Sequence, residues 1–267
     1  PLHVGGNLIY IGDADVTPRH TDKTDGDLHF SKANAYAVML VPLSRTTYLF
    51  PRVEWNTFTM DWDKNPKFKK TQFYYFQFAL TLYTIALEKW RWIARADYNL
   101  DQDHLSHLGS YGLFSALLWG SYQFHRKWHY HVGALGYVGM QGDTVYPVIG
   151  FDYAPNKKWL FQAIFPMTYT IDYNYTEHWR FSLKGRPLRE RFRVGNQEPQ
   201  AHSIFNYSTI GAEFNAHYEI LRRFEAEAFI GYNFGGSFYI KDRGGRNALY
   251  TDVSGAPYVG AMLDWGF

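Results

Sequence analysis

The sequence lacks cysteine, lacks long apolar runs and carries almost no net charge. Without cysteine no disulfide framework can form, so disulfide usage does not reveal the compartment. No stretch of about 18 apolar residues is present, which argues against a membrane-spanning helix. A net charge of +2 is too small to indicate a nucleic-acid partner. If the chain crosses a membrane, it must therefore cross with strands.

Two further absences concern the organisation of the chain. The opening residues, Pro1-Leu2-His3, show neither the charged nor the apolar segment of a signal peptide, so we expect the numbered chain to be the mature protein. No change of composition divides the sequence, and we expect one domain over residues 1–267.

Aromatic residues are abundant. Phe, Trp and Tyr make up 19% of the chain, with 22 Tyr and 9 Trp, although the mean hydropathy is only -0.37. A soluble core does not need so many tyrosines. Rings with one apolar and one polar end suit positions where lipid meets water, which a membrane barrel has at both rims.

Period-two alternation of apolar and polar residues predicts strands. The clearest hairpin covers residues 210–219 and 224–234. Its inward face carries four glutamates, Glu213, Glu219, Glu225 and Glu227. Such charges cost several kcal/mol in the dry core of a soluble sandwich, whereas the wet lumen of a barrel tolerates them. The pattern therefore favours a membrane barrel.

Short and long connections alternate along the chain. Short polar turns are predicted at 44–46, 87–89, 125–127, 155–158, 175–177 and 221–223. Longer loops rich in Gly and Asp are predicted at 13–29, 61–70, 101–109, 195–203 and 241–255. This alternation is typical of periplasmic turns and extracellular loops. A further reversal at Pro166, which cannot donate to a strand ladder, gives about 14 strands, with 12 as the alternative.

The last ten residues read Tyr-Val-Gly-Ala-Met-Leu-Asp-Trp-Gly-Phe. This pattern resembles the C-terminal assembly signal of the bacterial, Gram-negative outer-membrane β-barrel superfamily, porin-like proteins included. The positions that match are Tyr258, Gly260, Leu263, Trp265 and Phe267. The resemblance implies an all-β fold, a transmembrane antiparallel up-and-down β-barrel in the bacterial outer membrane. It also implies the barrel-assembly machinery as a partner, with outer-membrane lipid and lipopolysaccharide around the barrel.

A strongly basic segment covers residues 178–194. Outward Trp179 and Leu183 would place Arg180, Lys184 and Arg186 in the lumen. We expect Pro187 to mark a bulge or the exit from the membrane, after which the alternation changes phase. The cations could form a ladder that concentrates anions, or a salt-bridge network with the four glutamates that blocks the lumen. The outermost arginines could instead bind lipopolysaccharide phosphates.

The leading functional hypothesis is a pore for small polar or anionic solutes. The lumen residues expected to govern permeation are Arg91, Arg95, Arg180, Lys184, Arg186, Glu213, Glu225 and Glu227. A closed structural or adhesive barrel that acts through its extracellular loops is an alternative. Cofactors and metal sites are not expected.

A weaker alternative is an enzyme. His104 and Ser106 are two residues apart, as are the base and nucleophile of the outer-membrane acyl hydrolases, which this pair loosely resembles. The Ser-Asn-Gly context of the phospholipase type is missing, since Leu-Gly follows His107. A polar loop is the preferred interpretation, so the protein is expected not to be an enzyme.

Overall fold

The computed structural model describes residues 1–18, 26–63, 69–102, 108–140, 142–195, 197–198, 200–221, 223–242, 244 and 249–267. The described strands belong to one antiparallel sheet that closes because its first strand pairs with its last. A four-residue helix, α1 (Leu108–Tyr111), interrupts the strand pattern. In the described part of the chain, no helix is long and apolar enough to cross a membrane, a finding that does not address strands.

The strand segments follow the chain in order. They are β1 (Leu2–Pro18), β2 (Asp27–Met39), β3 (Val41–Pro42), β4 (Thr47–Trp62), β5 (Gln72–Thr84), β6 (Trp90–Asp101), β7 (Gly112–His125), β8 (Trp128–Val138), β9 (Thr144–Tyr153), β10 (Trp159–Phe165), β11 (Thr168–Asn174), β12 (Trp179–Arg193), β13 (Ile204–Leu221), β14 (Phe224–Lys241), β15 (Leu249–Val253) and β16 (Ala256–Gly266).

The wall of the barrel contains 14 strands. β3 only extends the end of β2 along β4, and β15 and β16 follow one another between β14 and β1. The predicted count of 14 is confirmed, and 12 is wrong. The reversal at Pro166 is also confirmed, because that residue lies between β10 and β11.

The outer face of the wall is apolar. On β5, Phe78 and Leu80 are 47% and 49% exposed, whereas Ala79 between them points inward and is buried. The same alternation leaves Phe214 and Ile230 exposed on β13 and β14, where Glu213 is buried. An apolar belt of this kind is stable only in contact with lipid. The chain is therefore a membrane barrel.

Aromatic rings surround one end of the barrel. Outward-facing pairs stack from strand to strand, with centroids 4.4 Å apart for Trp128 and Tyr153 and 4.5 Å apart for Trp179 and Tyr218. Trp265 and Phe267 stack at the same end. This is the arrangement expected where a barrel meets the membrane interface. We call this end, which has the short turns, the short-turn rim, and the opposite end the long-loop rim.

The loops at the long-loop rim differ from the predicted ones in two places. Residues 13–29 were expected to form a loop, but β1 continues to Pro18 and β2 begins at Asp27. The pairing of β1 with β2 shifts between Ile11 and Ala14, so that the inward positions change phase there. Similarly, the predicted loop 241–255 contains the short strand β15.

The alternation of β12 keeps its phase at Pro187, where a change of phase was expected. Its pairing with β13 is continuous from Trp179 to Arg193, so the predicted bulge and change of phase at Pro187 are wrong, while the exit from the membrane stays a prediction. Its other neighbour, β11, pairs with it only as far as Gly185. Pro187 therefore lies on a strand with one free side, where a missing N–H is tolerated.

Candidate solute pathway in the barrel lumen

The long-loop half of the lumen is divided into two parts. Buried apolar side chains from β1, β2, β4, β5 and β12–β16 form a dry core, in which Tyr207, Phe58 and Phe205 are almost completely buried. Phe192 of β12 closes this core, because its ring stacks on Phe58 and Phe73 at 5.1 Å and 4.6 Å. The remaining space lies along β5–β9.

This remaining space is a polar chamber. It contains two adjoining cavities of about 210 Å³ and 420 Å³. Gln77, Asn99, Tyr137 and Arg189 line both of them. A chamber of this size and polarity can hold a small hydrophilic molecule.

Arg95, one of the predicted lumen residues, lies in the chamber wall. Its Nε donates to Asp97 Oδ1 at 2.8 Å, and its Nη2 donates to the same carboxylate. Asp97 also accepts hydrogen bonds from Gln77 at 3.0 Å and from Ser115 at 3.3 Å. The buried carboxylate thus holds Arg95 against the wall.

A second ion pair marks the seam between the chamber and the dry core. Lys32 of β2 donates to Glu190 of β12 at 2.6 Å. The Lys32 ammonium also lies 5.9 Å from the centre of the Tyr75 ring on β5. Side chains of β2 and β5 meet here with a side chain of the distant β12, so the pair fixes the position of β12 across the lumen.

Four of the other predicted lumen residues form two ion pairs. Arg186 binds Glu213 through two nitrogen atoms, with Nη2 at 2.6 Å from Oε1. The Tyr258 hydroxyl donates to the same carboxylate at 3.1 Å. Lys184 donates to Glu227 at 2.9 Å. The structure therefore brings these basic and acidic residues of β12–β14 together along the inner wall.

The remaining predicted lumen residues lie toward the short-turn rim. Glu225 approaches His217 at 3.7 Å. Among the described residues, neither Arg91 nor Arg180 has a carboxylate within ion-pair distance. Their role in permeation stays a prediction.

Arg189 and Arg191 were not predicted to line the lumen. The guanidinium carbon of Arg189 lies 5.1 Å from the centre of the Tyr146 ring on β9. Arg191 donates to the carbonyl oxygens of Gly142 at 2.8 Å and Gly139 at 3.3 Å. Both arginines line the chamber. The sequence feature that could have indicated their position is the shortness of the segments β10 and β11 beside the much longer β12.

His104 and Ser106, the candidate catalytic pair, lie outside the described residues.

A family model for a domain of unknown function, DUF6268, matches residues 55–266. The chain belongs to the DUF6268 family. The match covers the wall from β4 to β16, and thus most residues of the chamber and both ion pairs of β12–β14.

Similar sequences occur in Chlamydia. An uncharacterized protein of Chlamydia pneumoniae is 24% identical over 233 residues, which cover 84% of this chain and 73% of that protein. An uncharacterized protein of Chlamydia trachomatis is 23% identical over 203 residues, which cover 75% and 63%. This DUF6268 chain thus spans less than two thirds of the second relative.

Solved structures with a similar fold are outer-membrane barrels. The COG4313 outer membrane channel from Pseudomonas putida F1 superimposes with a TM-score of 0.55 at 9% identity, over 100% of this chain and 95% of that one. A mutant of the TodX monoaromatic hydrocarbon channel gives a TM-score of 0.52 at 8% identity, over 100% and 90%. At such identities the likeness concerns the fold. It confirms the predicted fold, an antiparallel membrane β-barrel.

Proposed function

We propose that this protein is an outer-membrane channel for small polar solutes, with a preference for anions. The pathway runs through the polar chamber along β5–β9 and down the charged inner wall to the short-turn rim. The long-loop rim faces the outside of the cell and the short-turn rim the periplasm, as in other barrels with this distribution of loops.

The observation that carries this proposal is the unequal pairing of charges in the lumen. The chamber carboxylates Glu54, Asp97 and Glu190 each have a cationic partner, and the fourth, Asp101, is buried. Arg189 and Arg191 line the same cavities, and within the described residues neither has a carboxylate partner. Unpaired cations along a narrow polar path raise the local concentration of anions.

Recordings in planar bilayers test the proposal. We expect stable conductance and a reversal potential in a KCl gradient that indicates chloride preference. Arg180→Glu and Arg91→Glu should each lower the ratio of anion to cation permeability. Arg45→Glu, in the exposed turn between β3 and β4, changes the net charge equally and should leave the ratio unchanged at about 1 M salt, where the Debye length is about 3 Å.

The opposite results would reject the proposal. A purified, folded barrel without conductance is not a channel. If neither charge reversal changes the ratio of anion to cation permeability, the ions do not pass Arg180 and Arg91.

The dry core favours a second candidate, a closed barrel that acts through its loops. The stacking of Phe192 on Phe58 and Phe73 blocks half of the lumen at the long-loop rim. Absence of conductance, together with binding of a partner by the loops, would favour this function.

We further propose that residues 258–267 are recognised by the barrel-assembly machinery, and that outer-membrane lipid and lipopolysaccharide surround the barrel. The support is the strand β16 itself, whose Val259, Leu263 and Trp265 are exposed on the lipid side while Tyr258 is buried.

A further inference from the structure

The barrel wall is incomplete between β9 and β12. The two strands between them, β10 and β11, have only 7 residues each. β9 pairs with β10 only over residues 149–153, and β12 pairs with β11 only over residues 180–185. In the described part of the chain, residues 144–148 and 186–193 thus have no strand on their facing sides. We call the opening between them the notch; its floor is the turn at Pro166 and Met167.

The notch lies within the apolar belt. On its β9 side, Val145 and Ile149 are 76% and 63% exposed on the outer face. Phe165, at its floor, is exposed on the same face. These side chains indicate that lipid reaches this height of the wall, so the notch opens toward the membrane rather than above it.

Both edges of the notch carry proline. Pro147 lies on the free part of β9 and Pro187 on the free part of β12. A free strand edge in lipid leaves backbone N–H groups without partners, at a cost of several kcal/mol for each group. Proline has no N–H, so each residue removes one unsatisfied donor. The edges are therefore suited to remain unpaired.

Arg189 separates the chamber from the notch. Both chamber cavities reach this residue, and so does a third cavity of about 310 Å³. The third cavity lies beyond Arg189, between Tyr146 of β9 and the outward-facing Asn206 and Ser208 of β13. The Arg189 side chain thus stands where the inside and the outside of the barrel meet.

The contacts across the notch are made by side chains of β12. Arg189 stacks over the Tyr146 ring, and Arg191 reaches the carbonyl oxygens of Gly139 and Gly142. Neither contact is a buried ion pair, and a cation over an exposed ring contributes only about 0.5–1 kcal/mol. The closure is weak enough to open at ordinary temperature.

We propose that the notch is a lateral entrance to the chamber for amphipathic anions, whose apolar part partitions into the membrane, and that Arg189 and Arg191 are its latch. The inference deepens the proposed function, since it uses the same chamber as the start of the pathway and adds a second way into it. Opening requires the arginine side chains to leave Tyr146 and the two carbonyl groups. No strand has to separate from its partner.

Because the chain has no cysteine, one introduced thiol can report access to the chamber. Leu135 lines the chamber next to Met167 and Arg189. We suggest measuring how fast Leu135→Cys reacts, in proteoliposomes, with a phospholipid that carries a maleimide on its acyl chain. Adding Arg189→Ala should speed the reaction roughly two- to fivefold, the population shift expected when one cation–π contact is lost.

Three controls keep the result specific. Arg45→Ala, which removes a cation from the exposed turn between β3 and β4, should not change the rate. Val145→Cys, on the lipid face, should react rapidly in every background. Asn99→Cys, also in the chamber, replaces Leu135→Cys if that variant does not fold. If Arg189→Ala leaves the lipid reagent as slow as before while Val145→Cys reacts, the lateral entrance is wrong.

A water-soluble sulfonate reagent separates this failure from failure of the channel. Reaction of Leu135→Cys with the sulfonate but not with the lipid reagent would mean a channel without a lateral entrance. Reaction with neither reagent would mean a sealed chamber and would reject both proposals.

Discussion

The ring of Phe192 on β12 stacks on the ring of Phe73 on β5, with centroids 4.6 Å apart and planes 21° apart. Six strands separate β5 from β12 in either direction around the wall, so these rings meet across the full width of the barrel. A barrel of 14 strands is wide enough for a water-filled lumen. Here Phe192, near the end of β12, reaches the rings of β4 and β5 and closes part of the lumen. Access to the interior is therefore restricted to the polar side.

Phe192→Ala should widen the lumen at the point where Phe192 packs on Phe73. Loss of the ring leaves a cavity in the dry core, and we expect the free energy of unfolding to fall by about 3–5 kcal/mol. Single-channel conductance should rise because water enters the core. Urea unfolding followed by tryptophan fluorescence and bilayer recording measure the two effects. Phe234→Ala, at a lipid-facing position that is 63% exposed, should not alter conductance. Wild-type conductance in Phe192→Ala would show that the contact between Phe192 and Phe73 does not limit conductance.

Glu213→Gln should destabilise the barrel strongly. Glu213 is 1% exposed, and its replacement leaves Arg186 without a carboxylate. Breaking a buried pair in this way typically costs about 3–5 kcal/mol, whereas replacing both partners costs less. The double variant Arg186→Met with Glu213→Gln should therefore be more stable than Glu213→Gln alone, as a double-mutant cycle of equilibrium unfolding would measure. Glu225→Gln, whose side chain is 48% exposed, is the control. Additive effects would mean that the pair is not coupled.

Asp97→Asn should make the channel more anion-selective. The substitution removes the charge that holds Arg95 against the chamber wall. One unit charge at about 4 Å in water-like surroundings is worth about 1 kcal/mol, so the ratio of anion to cation permeability should rise up to about fivefold. Reversal potentials measure this ratio. Asp61→Asn, an equal change on the outer face of β4, should have no effect. A shift toward cations would show that Arg95 does not face the pathway.

Gly260→Ala should impair closure of the barrel. A β-carbon at this position would overlap the Phe229 ring and the carbonyl oxygen of Leu8 on the neighbouring strand β1. Overpacking of this kind typically costs about 1–3 kcal/mol. We expect a smaller folded fraction in heat-modifiability gels. Ala261→Val, which adds carbon on the lipid side of the same strand, should fold like the parent. Normal folding of Gly260→Ala would mean that Phe229 moves aside freely.

The number of strands, and which side chains of each strand face lipid, could be predicted because both depend on local chemistry. Every second residue of a membrane strand contacts lipid and is therefore apolar, so alternation such as that around Phe214 and Ile230 identifies the outer face directly. The turn at Pro166 could be predicted for the same local reason, since proline ends a ladder. These features need no knowledge of distant residues.

The surroundings of the last part of β12 could not be predicted. Alternation assigns one face of a strand to lipid and the other to the lumen, but beyond Gly185 β12 pairs only with β13, and side chains of both its faces reach the interior. Phe192 then enters the dry core while Arg189 and Arg191 face the chamber. These positions depend on the shortness of β10 and β11 and on partners as distant as Phe73, which a local pattern does not contain.

The extent of β1 was mistaken for a related reason. Its inward residues are Ile9 and Ile11, and then Ala14 and Val16, because the register shifts between them. Gly12 and Asp13 at the shift have the composition of a loop. A bulge within a strand and the end of a strand look alike in one sequence, and only the pairing with β2 distinguishes them.

The short hairpin of β10 and β11 also affects the lipid beside it. Strands of 7 residues extend about 23 Å, or about 18 Å along the barrel axis at the usual tilt, against an apolar band of about 25 Å. On this side alone the hydrophobic thickness of the protein is smaller than that of the bilayer. Lipids next to the hairpin must therefore compress, at a fraction of a kcal/mol per ångström of mismatch. The barrel itself thus shapes the membrane at this point.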